Sequence, residues 1–141
     1  FNGPRFARDY VTDPERGIPF LSSSDMLQAD LSGVDFLSRS RTPKALLDAI
    51  RLTRGWTLIS CSGTIGNTTY VRSDMDGMTA SQHVMRAAPK EDTIPSGYLY
   101  TFLSSRIGRA LLTQGTYGAV VRHIEPHHMA DLPIPKCIRV S

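Results

Sequence analysis

The segment Leu58-Ile59-Ser60-Cys61-Ser62-Gly63-Thr64-Ile65-Gly66-Asn67 holds the densest set of groups able to contact a polar partner. An apolar strand runs into a hydroxyl-rich bend with two glycines three residues apart, and a second strand, Thr68-Thr69-Tyr70-Val71-Arg72, leaves it. Glycines in such a bend let the backbone turn sharply and approach another surface. The bend offers backbone N–H groups and hydroxyls but no acid or base. A nucleotide phosphate loop needs Lys-Ser/Thr after its last glycine, and Asn67 follows Gly66. A dinucleotide turn needs a third glycine and a helix, where this chain has a strand. Ser60 and Ser62 lack the flanking glycines of a nucleophile elbow. The chemistry left to the bend is a tight structural turn or contact with a polar ligand or polyanion through amide N–H groups.

The other reactive side chains form weaker patterns. In His123-Ile124-Glu125-Pro126-His127-His128, the His-x-x-x-His spacing suits zinc on a helix, but Pro126 interrupts such a helix and no third ligand sits at a diagnostic distance. The expectation is a solvated or capping cluster with no bound metal or cofactor. Asp74/Asp76 and Glu91/Asp92 lie in turn-rich segments and read as solvated turn chemistry. Cys61 and Cys137 read as reduced thiols of a cytoplasmic protein, with a bridge between them as the alternative. Ser81, Gln82 and His83 interrupt an apolar stretch. On a strand facing DNA, Gln82 suits adenine and His83 suits guanine or a phosphate. Tyr117, between Gly115 and Gly118, suits a sugar, a base or a core anchor.

These groups sit in a chain of 141 residues, 40% hydrophobic and 21% charged, which suits one folded domain rather than a disordered segment. No apolar run is long enough to span a bilayer. The N-terminal Phe1-Asn2-Gly3-Pro4-Arg5 has no signal or transit character, and without Met it suggests a piece of something longer. The net charge is +3 and unevenly spread. Acids outnumber arginines through residue 35. Arg39, Arg41, Lys44, Arg51 and Arg54 are offset by Asp48 alone, and Arg106, Arg109 and Arg122 by nothing in residues 101–122. Two basic stretches are either solvated faces or the electrostatic footprint of a polyanion partner.

The elements that must position these groups are short. Residues 1–16 look irregular, Gly17–Leu21 a strand with Pro19 near its start or edge, Ser22–Met26 a polar turn, and residues 27–41 loop-like. Thr42-Pro43 predicts a capped helix start, with Leu46, Leu47 and Ile50 on one face and Gly55 as its stop. Residues 56–72 predict a strand pair around the glycine bend. Gly77 is placed in a left-handed turn, and residues 78–87 form a third strand. After a loop at 88–95, Ser96 is expected to cap one helix, and a second covers Ser105–Thr113. Gly115–Gly118 reads as a turn, Ala119–Arg122 as a strand, and Leu132–Pro135 as an extended edge. The class is mixed α+β, with a mostly antiparallel twisted sheet and several short helices.

Several stretches then fall into one order. Trp56–Gly66, with its Ser-Cys-Ser-Gly-Thr-Ile-Gly run, resembles the glycine signature of target recognition domains from type I restriction–modification specificity subunits. Gly17-Ile18-Pro19-Phe20-Leu21 resembles the element that precedes it in that family, Ser96–Leu103 its Tyr-Leu helix, and Leu132-Pro133-Ile134-Pro135 its close. The match runs through nearly the whole chain, with the glycine signature its most specific part. The resemblance implies the fold of a DNA methylase specificity domain, residues 1–141 forming a single target recognition domain. It further implies reading of one half of a bipartite double-stranded DNA target, with catalysis in methyltransferase (modification) and restriction subunits and no membrane association. The family's long spacer helices have no counterpart after Pro135. On this reading Arg39, Arg41, Lys44, Arg51 and Arg54 hold phosphates, while Ser62, Gly63, Thr64, Gln82, His83, Tyr117 and Arg122 approach base edges. Two alternatives stay open: a small hydrolase or transferase using His123, His127 or His128 with Ser62 or Cys61, and a protein-docking module using the apolar helices at 96–113.

Overall fold

Alternation of side chains along short strands decides how this chain stacks. A computed structural model describes residues 1–90, 93–114 and 123–136. In chain order the described strands are β1 (Tyr10–Val11), β2 (Gly17–Leu21), β3 (Asp35–Ser38), β4 (Thr57–Ser60), β5 (Thr68–Tyr70), β6 (Thr79–Ala80) and β7 (Val84–Ala87). The helices are α1 (Lys44–Ile50), α2 (Ser96–Ser104), α3 (Arg106–Thr113) and α4 (Pro126–Ala130). The strands form a four-stranded sheet in the order β1-β3-β2-β6 and a three-stranded sheet in the order β5-β4-β7. Every pair is antiparallel except β2–β6. The mixed α+β class thus holds, but with two sheets in place of one.

Adjacent residues of a strand face opposite sides, and here they enter different cores. Leu21, Leu58, Ala80 and Val84 meet between the two sheets, with Met26, Leu52, Val71 and Met75. Their neighbours Ile59 and Met85 turn to the other side of the small sheet, where Leu99 and Leu103 of α2 and Leu112 of α3 cover them. Ile18, Phe20 and Leu37 cover the far face of the large sheet under Leu47 and Ile50 of α1. The order is therefore α1, large sheet, small sheet, then α2 and α3. All four residues of β4 are buried because both of its faces are covered.

Four sequence expectations change in physical detail. Residues 27–41 are not all loop: β3 lies there, and its buried Leu37 and half-buried Phe36 pair with β2. Pro19 is not at an edge, since β2 lies between β3 and β6. The ladder to β6 begins one residue later, at Phe20–Thr79, so the proline breaks no rung on that side. Helix α1 ends at Ile50 rather than near Gly55, and neither Thr42 nor Pro43 supplies a side-chain cap. Gly55, at φ +90°, instead serves the turn into β4. At the start of α2, Ser96 makes no cap; its hydroxyl bonds the Tyr70 hydroxyl at 3.0 Å. Ser105 does cap α3, accepting from Gly108 N at 3.0 Å.

The expected third strand, residues 78–87, is two strands in different sheets. The Ser81 amide donates to Leu21 O at the end of β2, whereas the His83 carbonyl accepts from the Cys61 amide at the end of β4. Only Gln82 lies between these two anchors. The chain thus crosses from one sheet to the other at Ser81-Gln82-His83, which places those polar residues at the junction of the two sheets rather than along a strand face.

Candidate nucleic-acid interface

The glycine bend is braced from within by Ser60, which is fully buried. Its hydroxyl donates to Thr64 O at 2.7 Å and accepts from Asn67 N at 3.0 Å, and its carbonyl accepts from Gly66 N at 2.8 Å. Gly63 and Gly66 take left-handed φ values of +71° and +82°. Gly63 and Thr64 are exposed, Ser62 half-buried. Among the described residues, the amides from Ser62 to Ile65 have no acceptor. The bend therefore holds unpaired amide donors beside its exposed residues Gly63 and Thr64.

Beside it, the crossing at residues 81–83 supplies a hydrogen-bonded chain. Arg8 Nη2 donates to Gln82 Oε1 at 2.8 Å, Gln82 Nε2 lies 3.3 Å from His83 Nε2, and His83 Nδ1 lies 2.7 Å from Ser62 Oγ. The roles follow from the first link. An amide whose oxygen accepts from Arg8 turns its NH2 towards the imidazole, so Nε2 accepts and Nδ1 carries the proton. Nδ1–H then donates to Ser62 Oγ, which leaves the Ser62 O–H pointed elsewhere as a donor. Phe20 positions the first member: the Arg8 guanidinium carbon lies 5.0 Å from the centre of its ring. On the other flank, a Cβ at Gly66 would fall 2.7 Å from Thr113 Cγ2 and 3.7 Å from Arg109 Cγ, so the Arg109 side chain runs along the bend.

The structure brings Ser62, Gln82 and His83 into direct contact, with Gly63 and Thr64 on the same bend. Of the cations expected beside them, Arg39, Arg41 and Arg51 make contacts of their own within the fold. Arg39 Nε donates to Gly17 O at 2.8 Å, and Arg41 lies 3.8 Å from Asp9. Arg51 reaches Gly77 O at 3.2 Å and Asp48 at 3.7 Å, while the Arg54 amide donates to Asp76 Oδ1. Lys44 is exposed on the first turn of α1. Tyr117, Arg122, the turn at 115–118, the strand at 119–122, Glu91, Asp92 and Cys137 lie outside the described residues. Arg8 and Arg109 were not among the expected site residues. Arg8 lies in an acid-rich stretch, and no local pattern says that Asp9 turns to Arg41 while Arg8 turns to Gln82. Arg109 carried a signal, its place in an acid-free stretch.

Ile124 N donates to Cys61 O at 2.9 Å, yet among the described residues none of His123, His127 and His128 bonds Ser62 or Cys61. His123 faces Glu125 at 3.2 Å, and His128 Nδ1 accepts from Glu125 N at 2.8 Å. His127 stacks on His128, on α4, which begins at Pro126. Ser62 does meet a histidine, but one whose Nδ1 donates to the hydroxyl instead of accepting its proton, with an amide in place of an orienting carboxylate. Cys61 is fully buried, with Sγ 3.1 Å from His83 O, and burial pushes its thiol up, away from thiolate at neutral pH. Cys61 is expected to resist iodoacetamide in the folded chain and to react fully in urea, as peptide mass mapping will show. Rapid labelling of Cys61 without denaturant would contradict its burial. Among the described residues, no three His, Cys, Asp or Glu side chains converge as metal ligands, and no helix is long and apolar enough to cross a membrane.

Comparison with known proteins gives a distant geometric likeness. No family model matches the chain, and no curated protein matches it. Among solved structures, the HsdS subunit from Thermoanaerobacter tengcongensis superposes with a TM-score of 0.49 and 15% sequence identity over 74% of this chain. The chain spans 28% of that subunit's length. A likeness of this degree leaves function to be argued from the residues themselves.

Proposed function

We propose that this chain reads the sequence of double-stranded DNA as a target recognition domain, one half-site module of a type I restriction–modification specificity subunit. The modification and restriction subunits of that system would be its partners and would carry the catalysis. The observation that carries the reading is the hydrogen-bonded chain from Arg8 through Gln82 and His83 to Ser62, set beside a glycine bend whose amides from Ser62 to Ile65 have no acceptor among the described residues. It joins a cation, an amide, an imidazole and a hydroxyl, the groups that pair with phosphates and base edges. The order of motifs along the sequence supports the same reading. Arg39, Arg41, Lys44, Arg51 and Arg54 add to the net positive charge that would draw the chain towards a polyanion.

Fluorescence anisotropy with a labelled pool of random-sequence duplexes tests it. Binding is expected at low salt and should weaken steeply as sodium chloride rises, log K falling by about 0.9 per log unit of salt for each phosphate neutralised. Gln82→Ala should flatten the sequence preference in a selection from the pool while leaving that slope unchanged. No binding to any duplex at low salt would sink the proposal.

A further inference from the structure

Helix α3 presents one exposed face. Its buried stripe is Gly108 and Leu112, packed towards α2 and the small sheet. The opposite side exposes Arg106, Ile107 and Arg109, with Ile107 69% exposed, the largest value among the exposed large hydrophobic residues described. The apolar strip continues through Ala110 and Leu111 as a shallow groove. No Asp or Glu occurs between Asp92 and Glu125 in the sequence, and among the described residues neither guanidinium meets a carboxylate. The face is therefore positive with an apolar centre. It is continuous with the glycine bend, since the Arg109 side chain runs past Gly66.

We infer that α3 is a groove-reading element: Arg106 and Arg109 engage phosphates, and Ile107 packs on a thymine methyl in the major groove. Charge complementarity selects duplex DNA over a protein partner. Two arginines flanking one aliphatic side chain, with no acid on either helix of the elbow, repel a basic surface and give an acidic protein no hydrogen-bonding partner beyond the two cations. DNA uses all three residues, because a backbone of regular negative charge flanks a groove whose only apolar group is the thymine methyl. The inference rests on the DNA-reading proposal, and it adds a specificity residue that the hydrogen-bonded chain lacks.

The test uses the full chain and the same duplex pool. Arg106→Ala and Arg109→Ala should each weaken binding several-fold to all duplexes and lower the salt slope by about one. Ile107→Ser should leave the slope unchanged but remove preference for A·T pairs at one or more positions of the selected sequences. All three positions are exposed, so circular dichroism melts should match the unsubstituted chain. Arg72→Ala, at an arginine already paired with Asp74, is the control expected to bind normally. If the unsubstituted chain binds DNA and the three α3 variants bind and select as it does, the inference falls while the DNA-reading proposal stands. If the unsubstituted chain binds no duplex, both fall.

Discussion

Replacing Arg86 with Met is expected to lower the unfolding free energy by about 4 kcal/mol, a large share of what holds a small domain folded. Arg86 is 1% exposed, and among the described residues no carboxylate forms an ion pair with it. Its guanidinium donates to four carbonyls: Ile50 at 3.2 Å, Ala80 at 2.6 Å, Ser81 at 3.1 Å and Val84 at 2.8 Å. Burial lowers its pKa to about 10, so the group stays charged at neutral pH, and the carbonyl dipoles offset the cost of removing it from water. Methionine fits the space but takes the guanidinium donors away from those carbonyls in a dry interior; Ser81 O alone keeps a backbone donor, the Val84 amide at 3.2 Å. Lysine keeps the charge, but a single ammonium cannot span carbonyls from α1, β6, the crossing and β7, so Arg86→Lys should fall between the two. Urea unfolding followed by Trp56 fluorescence measures both. A loss under about 1 kcal/mol for Arg86→Met would show that the carbonyls find other donors. The bonds to Ser81 and Val84 bracket Gln82 and His83, so the same substitution should also blur the site. Weakened DNA binding is expected even where the variant remains folded.

Arg86 also marks what sequence reading reaches in this chain. The strand pair around the glycine bend, the left-handed Gly77 and the two helices after residue 95 follow from patterns a few residues long, and the structure contains them. The division of residues 78–87 between two sheets does not, because alternation looks the same whether a run pairs with one neighbour or changes neighbours midway. What separates the halves is long-range: Ser81 bonds to Leu21, Cys61 to His83, and Arg86 fixes the bend through carbonyls from as far as Ile50. The same limit applies at the site. Ser62, Gln82 and His83 were visible as polar residues in apolar surroundings, and their contact needed only the β4–β7 pairing. Arg8 was not visible, because a lone arginine beside an acid has no local signature. Its role comes from Phe20 and Gln82, which the fold brings to it.

Gly108→Ala tests whether the elbow between α2 and α3 is as tight as it looks. A Cβ at Gly108 would overlap the Phe102 carbonyl oxygen and lie 2.8 Å from its carbon and 3.0 Å from Leu103 Cα. All three atoms are backbone, so no side chain can rotate away, and α3 would have to move off α2. The expected loss is about 3 kcal/mol, at the upper end for overpacking, although alanine is the better helix former. Gly97→Ala, on the exposed first turn of α2 with nothing within 4 Å of its Cβ, should have the opposite sign. It should stabilise by about 0.5 kcal/mol. The pair separates steric clash from helix propensity, since both place alanine in a helix. If both variants stabilise, the elbow gives way easily and α3 is not rigidly placed. The functional consequence follows from the same geometry. Arg109 and Thr113 pack on the Gly66 bend, so a displaced α3 should separate the arginine face from the glycine turn. Gly108→Ala should therefore weaken DNA binding by more than its loss of folded population accounts for, measured by anisotropy at a temperature where the variant remains folded. Binding that simply tracks the folded fraction would mean that the two surfaces act independently.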